Sequence, residues 1–178
     1  KNITDYFILR FSRPRRVPRL ELKSGVPDDG RTLCVVSVLL SSEKSGAAAA
    51  RQLEEYRLAN RDAGRNLVFG ILADLPDASS ETIPCDETYL KSASDELKKL
   101  NDKYADGFFL FCRGRLFNGR DIVFSAWERK RGAILELCRF LRKRPTKLKC
   151  LLGRKEMLEN LRYVITLDSD TRLCAGTA

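Results

Sequence analysis

The sequence predicts an α/β fold: an open, mostly parallel sheet with helices on both faces, plus a small β-hairpin. Two observations predict the sheet. Short runs that are apolar at every position alternate along the chain with segments whose apolar residues recur every three or four positions. The 178 residues are also 43% hydrophobic, enough to fill a core on both sides of such a sheet. A third observation, Asn118-Gly119 between two apolar stretches, predicts the hairpin.

Taken in order, residues 1–30 form a basic arm in which Pro14, Pro18 and Pro27 oppose regular helix or a central strand. Arg31 to Ser41 is a first buried strand, because Cys34, Val35, Val36, Val38, Leu39 and Leu40 are apolar on both faces. Glu43 to Arg61, rich in Ala and Glu, is a helix. Asn66 to Ala73 is a second buried strand. Glu87 to Tyr104 is an amphipathic helix, with Leu90, Ala93, Leu97, Leu100 and Tyr104 on one face. Gly107 to Cys112 is a third strand. Arg115–Phe117 and Arg120–Phe124 flank the two-residue turn. Lys130 to Lys143 is a helix whose Ile134, Leu137, Cys138 and Leu141 share a face. Leu161 to Leu167 is a further strand that runs into Asp168. The organisation is thus an arm over 1–30 and one domain over 31–178.

Composition excludes several chemistries. There is no His, which removes His general bases, Ser-His and Cys-His nucleophiles and His-ligated zinc. Catalysis must draw on carboxylates, Lys, Arg, hydroxyls or a metal held by oxygen. The six cysteines form no C-x-x-C pair, and Cys34 and Cys112 lie in apolar runs, so reduced thiols and a cytosolic setting are expected. No apolar run approaches the ~20 residues a spanning helix needs, and no secretory leader is read at the start. Lys1 in place of an initiator Met suggests a segment of a longer chain. The net charge of +9 gathers in Arg10, Arg13, Arg15, Arg16 and Arg19 and again from Arg129 to Lys155. Such clusters attract diphosphates, anionic lipid or nucleic acid, or are simply a solvated basic surface.

In open parallel sheets, ligands sit at the carboxyl ends of the strands, where the strand order reverses. Three candidate groups lie there. Asp168 and Asp170 follow the last strand; on an extended chain they point to one side with Cα atoms about 6–7 Å apart, a spacing that suits one hard cation. The alternative for an isolated D-x-D is a turn capped by its own carboxylates. Asp74 ends the second strand and is suited to accept hydrogen bonds from a nucleobase or ribose, or to close a turn before Pro76. Lys130, Arg131 and Gly132 open a helix. Gly132 permits close backbone approach, and the two cations conflict with the helix dipole unless an anion sits beside them.

The segments VPRLELKSGVPDDGRTLCVVSVLLSS, LVFGILADLPDA, AWERKRG and RYVITLDSDTRL resemble, in order and approximate spacing, the glycosyltransferase domain of cyclic β-1,2-glucan synthases. The resemblance runs from about residue 17 to the end, and WERKRG and ITLDSDT are its most specific parts. It implies the nucleotide-binding part of a GT-A, Rossmann-like fold related to processive membrane glycosyltransferases. It implies a UDP-glucose donor and a glucan acceptor. Mg²⁺ or Mn²⁺ is implied at Asp168 and Asp170, and uracil or ribose recognition near Asp74. Leu39, Leu40 and Ser41 would lie beside the nucleotide, with Lys130, Arg131 and Gly132 at the diphosphate. It further implies attachment to a membrane through the rest of the parent chain, at the cytoplasmic face of the bacterial inner membrane. The family usually has Pro in place of Ser37, Lys in place of Ala133 and Asn in place of Cys138, and Pro-Arg-Gly after the metal motif.

Making a β-linkage from an α-linked donor inverts the anomeric carbon and needs a general-base carboxylate, which in relatives follows the metal motif. No catalytic base is therefore assigned here, and the isolated chain is expected to bind donor weakly at best and to transfer no sugar. A different class of function, a basic α/β module binding nucleic acid or anionic membrane, draws on the +9 charge. No helix-turn-helix, zinc finger or RNA-recognition motif accompanies that charge, so nucleic acid is not expected as a partner. A third reading is a degenerate domain that keeps the fold without the chemistry.

Overall fold

The computed structural model describes residues 24–172 together with residues 6, 7, 10, 11 and 22; most of the basic arm and Cys174 lie outside the described residues. The elements are β1 (Thr32–Leu39), α1 (Glu43–Ala59), β2 (Leu67–Asp74), α2 (Pro84–Tyr104), β3 (Phe108–Arg113), β4 (Leu116–Asn118), β5 (Val123–Ser125), α3 (Arg129–Leu141), β6 (Leu148–Leu152) and β7 (Tyr163–Asp168). The main sheet has the order β6-β3-β2-β1-β7. β1 pairs in parallel with β2 and with β7, β2 pairs in parallel with β3, and β6 runs antiparallel to β3.

The all-apolar strands are explained by burial on two faces. From β1, Cys34 and Val36 point into one core, with Ala50, Leu53 and Tyr56 of α1 and Ala93 and Leu97 of α2. Leu33 and Val35 point into the other, with Val68, Leu72, Phe109, Phe111 and Ala133 and Leu137 of α3. Three layers result, with two helices on one face and one on the other. The thiols of Cys34 and Cys112 sit in this packing, and burial pushes both up to about 12.

α1 begins at Ser42, whose hydroxyl accepts from the Ser45 N–H while Ser45 Oγ accepts from the Ser42 N–H. Against α2 it presents Gly46, where an added Cβ would lie 2.7 Å from the Ala93 Cβ, so this glycine sets how closely the two helices approach.

Two features differ from expectation. β6 is a strand the basic surroundings obscured. It is fixed by Glu136, whose carboxylate accepts from Thr146 Oγ1 (2.6 Å) and the Lys147 N–H (2.8 Å) just before β6 begins. Burial raises the Glu136 carboxyl, but these bonds and the one from Arg139 outweigh it and hold the group below its ordinary range. The hairpin also forms in a different register. β4 pairs with β5 through Leu116 and Ser125, Phe117 and Phe124, and Asn118 and Val123. Asn118-Gly119 is therefore no two-residue turn. Asn118 is the last residue of β4, and its side chain organises a longer loop, accepting from the Arg120 N–H (3.0 Å) and donating to Asp121 (2.7 Å). Among the described residues no helix is long and apolar enough to cross a membrane.

Candidate functional site

The strand order marks where to look. β1, β2 and β3 step outward in one direction, and β7 then returns to the other side of β1. The order reverses at β1, so the crevice lies between the carboxyl ends of β1 and β7. Register assigns the side chains to a face. Leu33 and Val35 pack on the α3 side, and the two-residue repeat puts Ser37 and Leu39 there too. Ser37 is in register with Asp168 on one side and Leu72 on the other. Leu39 is in register with Asp74, and Asp74 with Arg113. Asp168, Asp74 and Arg113 thus end three strands on the face that carries α3.

Asp168 is the last residue of β7 and is half exposed, its carboxylate paired with Lys130 Nζ from the first turn of α3. The Ser37 Oγ beside it is buried and has no hydrogen-bond partner among the described residues. Beyond Asp168 the chain turns, closed by the Thr171 N–H donating to the Asp168 carbonyl at 3.0 Å. The alternation of an extended strand stops there, so the same-side argument for Asp168 and Asp170 loses its geometric basis. The turn is anchored from α1: Gln52 Nε2 (2.9 Å) and the Tyr56 hydroxyl both donate to the Thr171 carbonyl. Asp170 is exposed. Among the described residues no group of three His, Cys, Asp or Glu side chains could hold a metal. A hard divalent ion such as Mg²⁺ takes one or two carboxylates and draws its remaining ligands from water or phosphate oxygen.

Asp74 is paired with Arg113. It is buried, and both its oxygens accept from Arg113, from Nε at 2.9 Å and Nη2 at 2.7 Å. The same guanidinium donates to two main-chain carbonyls, Trp127 (Nη1, 2.6 Å) and Arg129 (Nη2, 2.8 Å). The carboxylate expected to meet a base or ribose therefore fastens the start of α3 to the ends of β2 and β3. Gly132 serves that arrangement: a Cβ there would lie 2.0 Å from the Trp127 oxygen and 2.3 Å from Arg113 Nη1. The close approach that this glycine permits is internal.

The cations at the head of α3 each have an acidic partner. Arg129 pairs with Asp77 at 3.0 Å, Lys130 with Asp168, and Arg131 with Glu128 at 3.1 Å. The conflict with the helix dipole is thus relieved within the chain. Of the β1 residues, Leu40 is fully buried, its N–H donating to the Asp74 carbonyl at 2.9 Å. Leu39 and Ser41 are exposed at the strand end.

The residue that sequence reasoning passed over is Arg113. It directly follows the apolar run GFFLFC, and the strand-end rule that singled out Asp74 applies to it equally. A second buried pair, Arg115 with Asp86, was also missed. Arg115 donates to both Asp86 oxygens (2.6 and 2.8 Å) and to the Pro76 and Glu81 carbonyls, holding the segment between β2 and α2.

Fold and site together define an open α/β domain with charged side chains at the strand ends beside its strand-order reversal. Over 168 residues, 92% of this chain, the sequence is 40% identical to the cyclic β-(1,2)-glucan synthase NdvB of Rhizobium meliloti (strain 1021). The chain spans about 6% of that enzyme's length. It is a relative of a segment of that glucan synthase, in keeping with the resemblance carried by WERKRG and ITLDSDT. No protein-family model matches the chain.

Proposed function

We propose that the chain is the donor-binding part of an inverting glucosyltransferase that takes glucose from UDP-glucose to build a β-1,2-glucan. Asp168 and Asp170 would hold Mg²⁺ or Mn²⁺ at the strand end. When bound, the ion neutralises charge developing on the departing UDP. The chain's own residues do the rest. Lys130 gives up its contact with Asp168 and moves to a diphosphate oxygen, with Arg131 adding charge beside it. Base or ribose recognition falls to the ends of β1 and β2, where Leu39 and Ser41 are exposed and Asp74 is held by Arg113. The glucan acceptor and the general base lie with other parts of a longer protein, which also attaches to the cytoplasmic face of the membrane.

The observation that carries this reading is the meeting of Asp168 and Lys130 across the reversal point of the sheet, in a chain related to a glucan synthase. Calorimetry with UDP and Mn²⁺ tests it. The expected result is metal-dependent binding that Asp168→Asn removes and moderate salt leaves unchanged. Binding that ignores Mn²⁺ and collapses with salt would point to a basic phosphate-binding surface instead. No binding at all would mark a domain that has kept the fold alone. Incubation with UDP-glucose, Mn²⁺ and an acceptor should give no sugar transfer by this chain; robust product would refute that part.

A further inference from the structure

Arg113 is buried at the end of β3, and its hydrogen bonds run to Asp74 at the end of β2 and to the main chain at the start of α3, the helix that carries Lys130. We propose that Arg113 is a positioning residue for donor binding: by tying the Trp127 and Arg129 carbonyls to Asp74, it sets where Lys130 stands beside Asp168. This inference rests on the donor-binding reading above.

Three observations converge on it. Arg113 bonds the carbonyls on either side of Glu128, and Lys130 is the next residue after that clamp. The clamped residues carry strain, since Glu128 (φ 47°) and Arg129 (φ 41°) both occupy the left-handed region without being glycine. Such a conformation persists only where its surroundings enforce it, and a planar guanidinium reaching two carbonyls and a carboxylate provides that. Gly132, finally, leaves the space that Arg113 Nη1 and the Trp127 carbonyl fill.

Arg115 supplies a matched control. It is equally buried and paired with Asp86, but its bonds go to Pro76, Glu81 and Asp86 and none to residues 126–132. The experiment compares Arg113→Lys with Arg115→Lys in the same chain. Lysine keeps the charge but cannot make the fork. Melting is followed by circular dichroism, UDP affinity with Mn²⁺ by calorimetry, and the clamped segment by acrylamide quenching of Trp127, the one tryptophan in the chain.

Both variants should melt earlier. Only Arg113→Lys should quench Trp127 more readily and weaken UDP binding at least tenfold. Equal losses of affinity in the two variants, or none in Arg113→Lys, would overturn the inference and leave Arg113 a purely structural residue. If Arg113→Lys does not fold, Arg113→Gln carries the same test, since its amide can donate to one partner but cannot bridge two carbonyls and a carboxylate. A wild-type chain that binds no UDP sinks the donor reading and this inference with it. A wild-type chain that binds beside an Arg113→Lys that binds equally well sinks this inference alone.

Discussion

Replacing Gly132 by alanine separates two roles for this residue. If Gly132 exists to let a diphosphate approach, a methyl group there lowers ligand affinity and leaves stability nearly unchanged. The geometry says otherwise. The new Cβ would sit 2.0 Å from the Trp127 oxygen and 2.3 Å from Arg113 Nη1, against about 3.4 Å for ordinary contact. Both atoms must retreat by about an ångström or more, which strains or breaks the 2.6 Å bond between them. Losing a hydrogen bond to a buried charged group costs about 1.5–3 kcal/mol, and overpacking a tight site about 1–3 kcal/mol. Alanine returns up to about 1 kcal/mol through its better helix propensity. The net expectation is a loss of about 1.5–6 kcal/mol. Urea unfolding followed by circular dichroism reads it directly. A loss below about 1 kcal/mol, combined with weaker UDP binding, would refute the internal role and restore the ligand-facing one.

Two further outcomes follow from packing and charge. Gly46→Ala improves helix propensity, yet its methyl would lie 2.7 Å from the Ala93 Cβ and 2.9 Å from the Ala93 Cα, so a lower melting temperature is expected; a higher one would mean the two helices separate freely. The hydrogen bonds from Arg115 hold the Asp86 carboxyl below its ordinary range. A depressed folded pKa adds stability that is fully present above the unfolded value near 4 and is lost as pH falls through the folded value. Asp86→Asn should therefore be less stable at neutral pH and flatten the acid limb of a melting-temperature profile below about pH 4; an unchanged acid slope would deny the pair that role.

What was legible in the sequence depended on local pattern. The β1, β2 and β3 runs are apolar at every position because both faces are covered, and that signature survives without coordinates. The amphipathic face of α2 was read from its spacing, and Ala93, Leu97 and Leu100 are buried. β6 was not read: its sequence LKCLL does not alternate cleanly, and the strand is short, lies at the sheet edge and stands in a basic stretch. The Asn118-Gly119 signal misplaced the hairpin turn. A favoured dipeptide competes with the pairing of its neighbours, and the bridge between Ala78 and Phe124 helps set where the hairpin lies.

The sequence alone determined the layered α/β plan, the chemistry excluded by the lack of His, and the position of Asp168 at a strand end; these follow from periodicity and composition, which are local. Only the tertiary structure decided which charged groups meet. Asp74 and Arg113 lie 39 residues apart, and Lys130 and Asp168 lie 38 apart. Nothing in either neighbourhood names its partner. Parallel strand register and the packing of α3 across the sheet bring them together, and with them Asp74, expected beside a base or ribose, becomes half of a buried ion pair.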